Sequence, residues 1–375
     1  MESPSTTKRI VAFGHFDLEG ARSWVIRTGL GERGCEVTLC RTEAEGLFAK
    51  YTDLGRRWNA MPAKPDAIYV PFLGHYLMLL AWRLGRREGI PVILDAFLSL
   101  YDTEVHDRKR VSRWSPHAWF LWFTDWLACH LATVVLLDTE EHKRYFVDTF
   151  GLTPEKILVL PIGCRTDLFL PLPPRGRGPG GGGWDNQKQE QTQFTIRFHG
   201  TFIPLQGIDT ILLAAKELQD RGENVTFELA GKGQTYPAMR RLADELGLRN
   251  VQFLGTLTMT ELPAFVNGAD ICLGIFGASG KAARVIPNKA YEVIACGRPL
   301  VTGRTPASER VFRHGQDSFL VTSGDPHALA EAILTLRNDE QLRKKIGEGG
   351  LRLSQAQFQP RTIVASLTEW LETYG

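Results

Sequence analysis

The stretch RVIPNKAYEVIACGRPLV, from Arg284 to Val301, sets a cation and a carboxylate three residues apart behind a proline. That spacing puts Lys289 and Glu292 on one face of a helix. Pro287 suits the first helical turn and Gly297 the position just past the end. Pro299 then forbids helix, and the apolar run LVTG begins a strand. The segment therefore reads as a short helix between two strands. Its N-terminus offers free N–H groups and a positive dipole end, which favour a phosphate. A surface ion pair on a helix in an α/β domain is the plainer reading of the same residues.

The flanking sequence repeats this grammar. RIVAFG, CEVTLC, DAIYVPF, PVILDAF, VVLLD and ILVLPIG are apolar strand-like runs in the first half, with helices predicted over 20–33, 75–88, 115–131 and 140–149. Such runs separated by helices imply a parallel sheet covered on both faces. The grammar restarts at Phe194. FTIRFHG, VTFELAG, VQFLG, DICLGIF and PLVTG read as strands; IDTILLAAKELQDRG, YPAMRRLADELG and TELPAFVNGA read as helices. Further helices are expected near 326–338, 339–346 and 361–373. Between the halves, PLPPRGRGPGGGGWDNQKQEQTQ is too rich in Gly, Pro and polar residues to bury a core. The fold class is α/β, with two Rossmann-like doubly wound domains facing a cleft, where ligands usually bind. The expected boundaries are an N-terminal Rossmann-like domain over 1–170, a flexible linker or loop over 171–193 and a C-terminal Rossmann-like domain over 194–355. A last helix over 356–375 is expected to pack back on the N-terminal domain.

Composition narrows the function. The chain has 375 residues, 43 % hydrophobic, with a net charge of +2. That size accommodates two domains, and that charge argues against wrapping nucleic acid. The six cysteines form no C-x-x-C pair and read as reduced core thiols of a cytoplasmic protein. The N-terminal MESPSTTKR is polar and is not read as a signal peptide. No apolar run reaches spanning length without a charge; AWFLWFTDWLACHLATVVLL is interrupted by Asp125 and His130.

With this context the opening stretch, together with FHGTFIPLQGIDTILLAAKEL, FELAGKGQTYPAMRRLADELGLRNVQFLGTL and KILVLPIGCRTDLFLP, resembles the retaining glycosyltransferases of family 4. These have the two-Rossmann-domain fold called GT-B. The resemblance implies sugar transfer from a nucleotide-diphosphate sugar, held by the donor domain over 194–355, to an acceptor, a glycan, lipid-linked saccharide or polysaccharide precursor, met by the acceptor domain over 1–170. It implies no cofactor beyond the donor itself and no metal; no Asp-x-Asp occurs in the chain. The family's motif has two glutamates separated by seven residues. The second corresponds to Glu292, implied to bind the ribose hydroxyls. The first falls on Arg284, a departure at a position that usually touches the donor sugar. The family's diphosphate-holding arginine and lysine correspond to Thr201 and Gln206, a second departure. Lys281, Arg284 and Lys289 add three cations to the neighbouring loop, and the cationic role is inferred to have moved to them. Gly200, Gly207, Gly231, Gly233, Pro287 and Asn288 complete the donor-binding set. A nucleotide-sugar epimerase or hydrolase of the same fold, and a non-catalytic sugar-nucleotide-binding scaffold, remain open alternatives.

Three residues at strand ends are acceptor candidates. His15 lies in FGHFDLEG, which lacks the G-x-G-x-x-G of a dinucleotide site. His75 follows DAIYVPF, and Asp102 follows PVILDAF. His15 is nearly as well read as a surface loop residue, and Asp102 as an N-cap or turn residue. RKRVSRWSPHAWFLWFTDW sets Arg108, Lys109, Arg110 and Arg113 beside Trp114, Trp119, Trp122 and Trp126. That combination suits peripheral contact with the inner face of a membrane through 108–126. An amphipathic helix with its aromatics in the core is the other reading.

Overall fold

The computed structural model describes residues 7–172 and 193–374. Most of the segment read as a linker, 173–192, lies outside the described residues. The chain divides into two units. One comprises the chain up to Gly163, Arg284–Ile286 and the chain from Gln357 on; the other comprises Cys164–Ala283 and Pro287–Ala356.

The first unit is built on six strands: β1 (Arg9–Gly14), β2 (Glu36–Arg41), β3 (Ala67–Val70), β4 (Val92–Phe97), β5 (Val134–Leu137) and β6 (Ile157–Val159). They pair in parallel in the order β2-β1-β3-β4-β5-β6. The central strands are buried on both faces, which is why they read as continuous apolar runs rather than alternating ones. The crossovers are α1 (Ala21–Glu32), α2 (Leu47–Asn59), α3 (Met78–Glu88), α4 (Pro116–Leu131) and α5 (Glu140–Phe150). Ser115 and Thr139 start α4 and α5 by accepting the backbone N–H of Ala118 and His142. The sequence reading missed α2, whose apolar residues are largely left at the surface: only Leu54 and Trp58 are buried, while Leu47 and Phe48 are exposed. It also missed the π-helical turn over Asp102–Asp107, which it treated as loop.

Under the sheet, Arg22 on α1 clamps Asp95 of β4. Its Nε donates to both carboxylate oxygens at 2.8 and 2.9 Å, and its Nη1 donates to Leu160 O at 2.8 Å. Tyr69 donates its hydroxyl to the same carboxylate at 3.2 Å. Near the C-terminus, α13 (Pro360–Ile363) packs on α1 so closely that a Cβ on Gly29 would lie 2.3 Å from Pro360 O.

The second unit has β7 (Phe194–His199), β8 (Val225–Ala230), β9 (Val251–Gly255), β10 (Ile271–Leu273), β11 (Leu300–Arg304) and β12 (Phe319–Thr322). Their order is β12-β11-β10-β7-β8-β9, all parallel. Its helices are α6 (Ile208–Asp220), α7 (Tyr236–Glu245), α8 (Leu262–Asn267), α9 (Asn288–Ala295), α10 (Pro306–Val311), α11 (Pro326–Asn338) and α12 (Glu340–Gln357). The reading omitted β12 and α10 and ended α12 too early, at 346. Gly347, Gly349 and Gly350 look like a helix end, yet they lie within the helix where backbone is close. A Cβ on Gly349 would sit 1.9 Å from Gln316 O, and one on Gly347 2.4 Å from Gly297 O.

Strand order decides where a ligand fits. In this sheet the chain runs outward from β7 to β9, then returns to β10 on the other side of β7. The loops after β7 and β10 therefore diverge to opposite faces and leave a crevice at the strands' carboxyl ends.

Candidate functional site

The opening stretch folds as α9, and its punctuation works as residue chemistry requires. Pro287 is the N-cap, with extended backbone. Gly297 takes a left-handed φ of 65°, and its N–H bonds Ile294 O while that of Arg298 bonds Val293 O. That is the paired closing pattern of a glycine-terminated helix. Every residue from Lys289 to Ala295 is buried. The surface ion-pair reading is therefore excluded: Lys289 is 4 % exposed and Glu292 5 %.

The two side chains have different partners. The Glu292 carboxylate meets Nε2 of His199, the last residue of β7, at 2.6 Å. Lys289 Nζ donates to Gln206 Oε1 and lies 3.6 Å from the centre of the Phe198 ring. Burial pushes its ammonium well below the usual lysine range, and the charge of Glu292 only partly opposes this. A cation held in low dielectric over an aromatic face, with a neutral amide as its acceptor, gains strongly from an incoming anion.

The loop after β7 lies beside that cation, and the loop after β8 packs on that loop. Gly200 follows β7 with φ of 145°, and a Cβ there would lie 2.8 Å from Lys289 Nζ. Gly231 follows β8; its Cβ would fall 1.9 Å from Gly200 O, and one on Gly233 would fall 2.5 Å from Phe202 O. Gly207, with φ of 64°, brings the start of α6 against Phe276 and Gly277. Gly200 and Gly231 let main chain replace side chain at a recess of about 230 Å³, which is also lined by His199, Thr201, Lys232 and Leu262. Of the donor-side expectations, the structure thus brings Lys289, Gln206, Gly200, Thr201, Gly231 and Glu292 together.

Two functional candidates were missed from sequence. His199 ends a strand, and only the fold shows that it meets Glu292. Lys232 sits between Gly231 and Gly233 in a Gly-Lys-Gly turn. Lys232 is exposed at the recess, the fitting state for a cation that meets a ligand arriving from water.

The three expected cations are divided between the units: Lys281 and Lys289 lie in the second, Arg284 in the first. The Arg284 Nη2 donates to Asp102 Oδ2 at 2.7 Å, its guanidinium lies 4.2 Å from the centre of the Tyr145 ring, and its carbonyl accepts from Thr139 Oγ1 at 2.6 Å. An arginine with a carboxylate within reach satisfies its charge there. The same contact corrects the reading of Asp102 as a group open to a sugar hydroxyl: it is 1 % exposed and also lies 3.1 Å from His106 Nδ1. Lys281 is buried in the loop ahead of α9. Pro287 and Asn288 open that helix.

The N-terminal candidates separate similarly. His15 stays half exposed, its Nδ1 2.8 Å from Thr42 O. His75 is a core histidine, 3 % exposed and 3.7 Å from Asp125 Oδ1, and burial lowers its pKa. It is corrected from a cleft residue to a buried one. All six cysteines are unpaired, five of them buried.

Comparison with known proteins agrees with this architecture. Residues 11–163 match the model of the glycosyl transferase 4-like domain, and residues 193–339 that of the glycosyl transferases group 1. The lipopolysaccharide core biosynthesis glycosyltransferase LpsD of Rhizobium meliloti is 29 % identical over 171 residues, 45 % of this chain and 47 % of that protein. A GDP-mannose-dependent alpha-(1-6)-phosphatidylinositol monomannoside mannosyltransferase of Mycolicibacterium smegmatis is 27 % identical over 244 residues, 64 % and 62 % of the two chains. The chain spans about half the length of the first curated relatives it matches. Among solved structures, Anabaena HepE in complex with UDP-glucose superposes with a TM-score of 0.68 at 17 % identity, over 98 % of this chain and all of that one. That likeness shows the fold, GT-B. With both halves matched, the chain belongs to the group 1 glycosyltransferases, with a family 4-like N-terminal domain.

Proposed function

We propose that this chain is a retaining, metal-independent glycosyltransferase that moves a hexosyl group from a nucleotide-diphosphate sugar to a glycan or lipid-linked acceptor. The observation that carries the reading is the buried Lys289 ammonium beside the Gly200 loop, one helical turn from the Glu292–His199 pair. Glu292 takes the ribose hydroxyls, as the family resemblance implies. Lys289, with the main-chain N–H groups of the glycine loops, takes the diphosphate. Lys232 is positioned to add a second charge.

In the reaction the bond from the anomeric carbon to the diphosphate oxygen breaks while the acceptor oxygen bonds to that carbon on the same face. The acceptor's proton passes to a phosphate oxygen of the leaving diphosphate, so no separate protein base is required. The chain's contribution is positioning and stabilisation of leaving-group charge. A fixed ammonium supplies what a metal ion would otherwise supply, which supports the metal-independent reading.

The UDP-glucose complex of HepE and the GDP-mannose dependence of the mycobacterial relative give the first donors to try. A thermal-shift panel of nucleotides and nucleotide sugars finds the base, since a ligand at a hundredfold excess over its Kd stabilises by about 2.7 kcal/mol. Labelled donor with candidate acceptors, and nuclear magnetic resonance of the product anomer, then tests transfer and retention. Retained configuration and full activity after exhaustive chelation are expected. Donor consumption without transfer to any acceptor, or inversion at the anomeric carbon, contradicts the reading.

A further inference from the structure

The helix α4 leaves a set of large aromatics without cover. Trp122 and Trp126 pack against the core of the first unit. Against them, Trp119 meets Trp122 with ring centres 6.4 Å apart and Phe123 meets Trp126 at 5.7 Å; Trp119 is 65 % exposed, and Phe120 and Phe123 are about half exposed. Trp114, just ahead of the Ser115 cap, is 75 % exposed. Neighbouring elements extend the face: Tyr76 stacks on Phe120 with ring centres 6.3 Å apart, and Tyr51 of α2 donates its hydroxyl to Tyr76 O at 2.9 Å. Aromatic side chains present about 150–250 Å² each, so the four on α4 and its entry turn leave roughly 500 Å² of apolar surface outward. That is at the upper end of what monomeric proteins carry and marks an interaction surface.

Charge at the same end of the helix selects the partner. Arg108, Lys109, Arg110 and Arg113 lie in the turn that leads into α4. Glu104 pairs with Arg108 and Arg110 at 3.3 and 3.8 Å. Lys109 and Arg113 have no carboxylate partner among the described residues. Lys109 is exposed at a left-handed φ of 51°, and the Arg113 guanidinium stands 4.5 Å from the centre of the Trp114 ring. The positive end of the α4 dipole adds to this field. Tryptophans and phenylalanines beside unpaired basic residues match a layer whose outer part is anionic and whose inner part is hydrocarbon. No helix of the described residues is long and apolar enough to cross a membrane, so the contact lies in the interface plane.

We propose that α4 and its entry turn seat this unit on an anionic phospholipid surface, with Trp114, Trp119, Phe120 and Phe123 inserted at headgroup depth and Lys109, Arg110 and Arg113 on the phosphates. None of these residues belongs to the nucleotide-binding machinery proposed above. A surface seat here suits a lipid-linked acceptor, and in that respect alone it rests on the transferase reading.

The test is co-flotation of the full chain with vesicles of neutral phosphatidylcholine, and with vesicles containing roughly one-third phosphatidylglycerol. Binding at least tenfold stronger to the anionic vesicles is expected, and it should fall as salt rises from about 0.05 M to about 1 M. Lys109→Gln with Arg110→Gln and Arg113→Gln should weaken it by roughly a hundredfold, near fivefold per charge. Trp119→Ser with Phe120→Ser and Phe123→Ser should abolish it while the thermal midpoint holds; if that triple variant does not fold, Trp119→Ser alone should still weaken binding. Absence of binding to anionic vesicles at low salt overturns the proposal, as does undiminished binding of the variants. So does a dimer of the wild type that the serine variants dissociate, since the face would then be an interface between copies. The assay contains no donor, so its failure leaves glycosyl transfer untouched, and an inactive enzyme that still floats separates the two readings.

Discussion

Replacing Lys289 by methionine isolates the charge at the centre of the site. The change keeps the length and apolar stem of the side chain and removes only the ammonium. Two effects on stability oppose each other. The variant no longer desolvates a cation, a cost visible in the depressed pKa of Lys289. It also leaves Gln206 Oε1 without its donor, which costs about 1–3 kcal/mol for a buried acceptor. The thermal midpoint should therefore move little, with a net change within about 2 kcal/mol. Turnover should not be spared. A fixed donor aimed at charge that develops in the transition state contributes about 2.7–4 kcal/mol, so kcat should fall by roughly a hundred- to a thousandfold. Because the Gln206 amide and the Lys289 ammonium are in contact, Gln206→Lys can return a cation to nearly the same point. In the Lys289→Met background it should recover at least about tenfold of the loss. The assay is turnover with saturating donor and acceptor, beside a melting curve of each variant. A stable Lys289→Met enzyme with turnover within about threefold of wild type refutes the reasoning, because the ammonium would then be a tolerated core group.

Glu292→Gln should raise the Kd for the free nucleoside diphosphate by roughly ten- to a hundredfold, since a hydrogen bond to a charged group is worth about 1.5–3 kcal/mol; calorimetry showing unchanged affinity would remove Glu292 from the ribose. Nucleotide binding should take up protons. The pKa of Lys289 is depressed in the free protein, and a bound diphosphate raises it, so the complex holds more protons and Kd should increase as pH rises through that interval. Titrations in two buffers of different ionisation enthalpy measure the uptake, which should vanish in Lys289→Met; no exchange at any pH at which the protein stays folded contradicts it. Arg22→Met should destabilise the first unit by about 3–5 kcal/mol, because it leaves the buried Asp95 carboxylate without its cation; a thermal midpoint equal to wild type would show that Asp95 is held by Tyr69 alone.

Much of the architecture is legible in the amino-acid sequence. A strand buried on both faces must be apolar throughout, so the runs RIVAFG, VVLLD and VTFELAG declare a parallel sheet locally. A helix that opens on Pro287 and closes on Gly297 obeys backbone sterics that depend on those residues alone. What escaped were elements whose signal is diluted, such as α2 with two buried side chains and α12 with glycines inside it. There, packing overrides propensity: a glycine inside α12 is tolerated because a neighbouring carbonyl occupies the space of its Cβ.

The site divides along the same line. Sequence pattern was enough to set Lys289 and Glu292 on one helix and the glycines at strand ends, since these follow from spacing within a segment. It could not say that both side chains are buried, that Glu292 meets His199 across 93 positions of chain, or that Lys289 answers the neutral Gln206. Nor could it say that Arg284, eight residues before Glu292, spends its charge on Asp102. A side chain's local conformation is set by its neighbours in sequence. Its partner is set by which strand ends the sheet order brings together, and that order is a property of the whole fold.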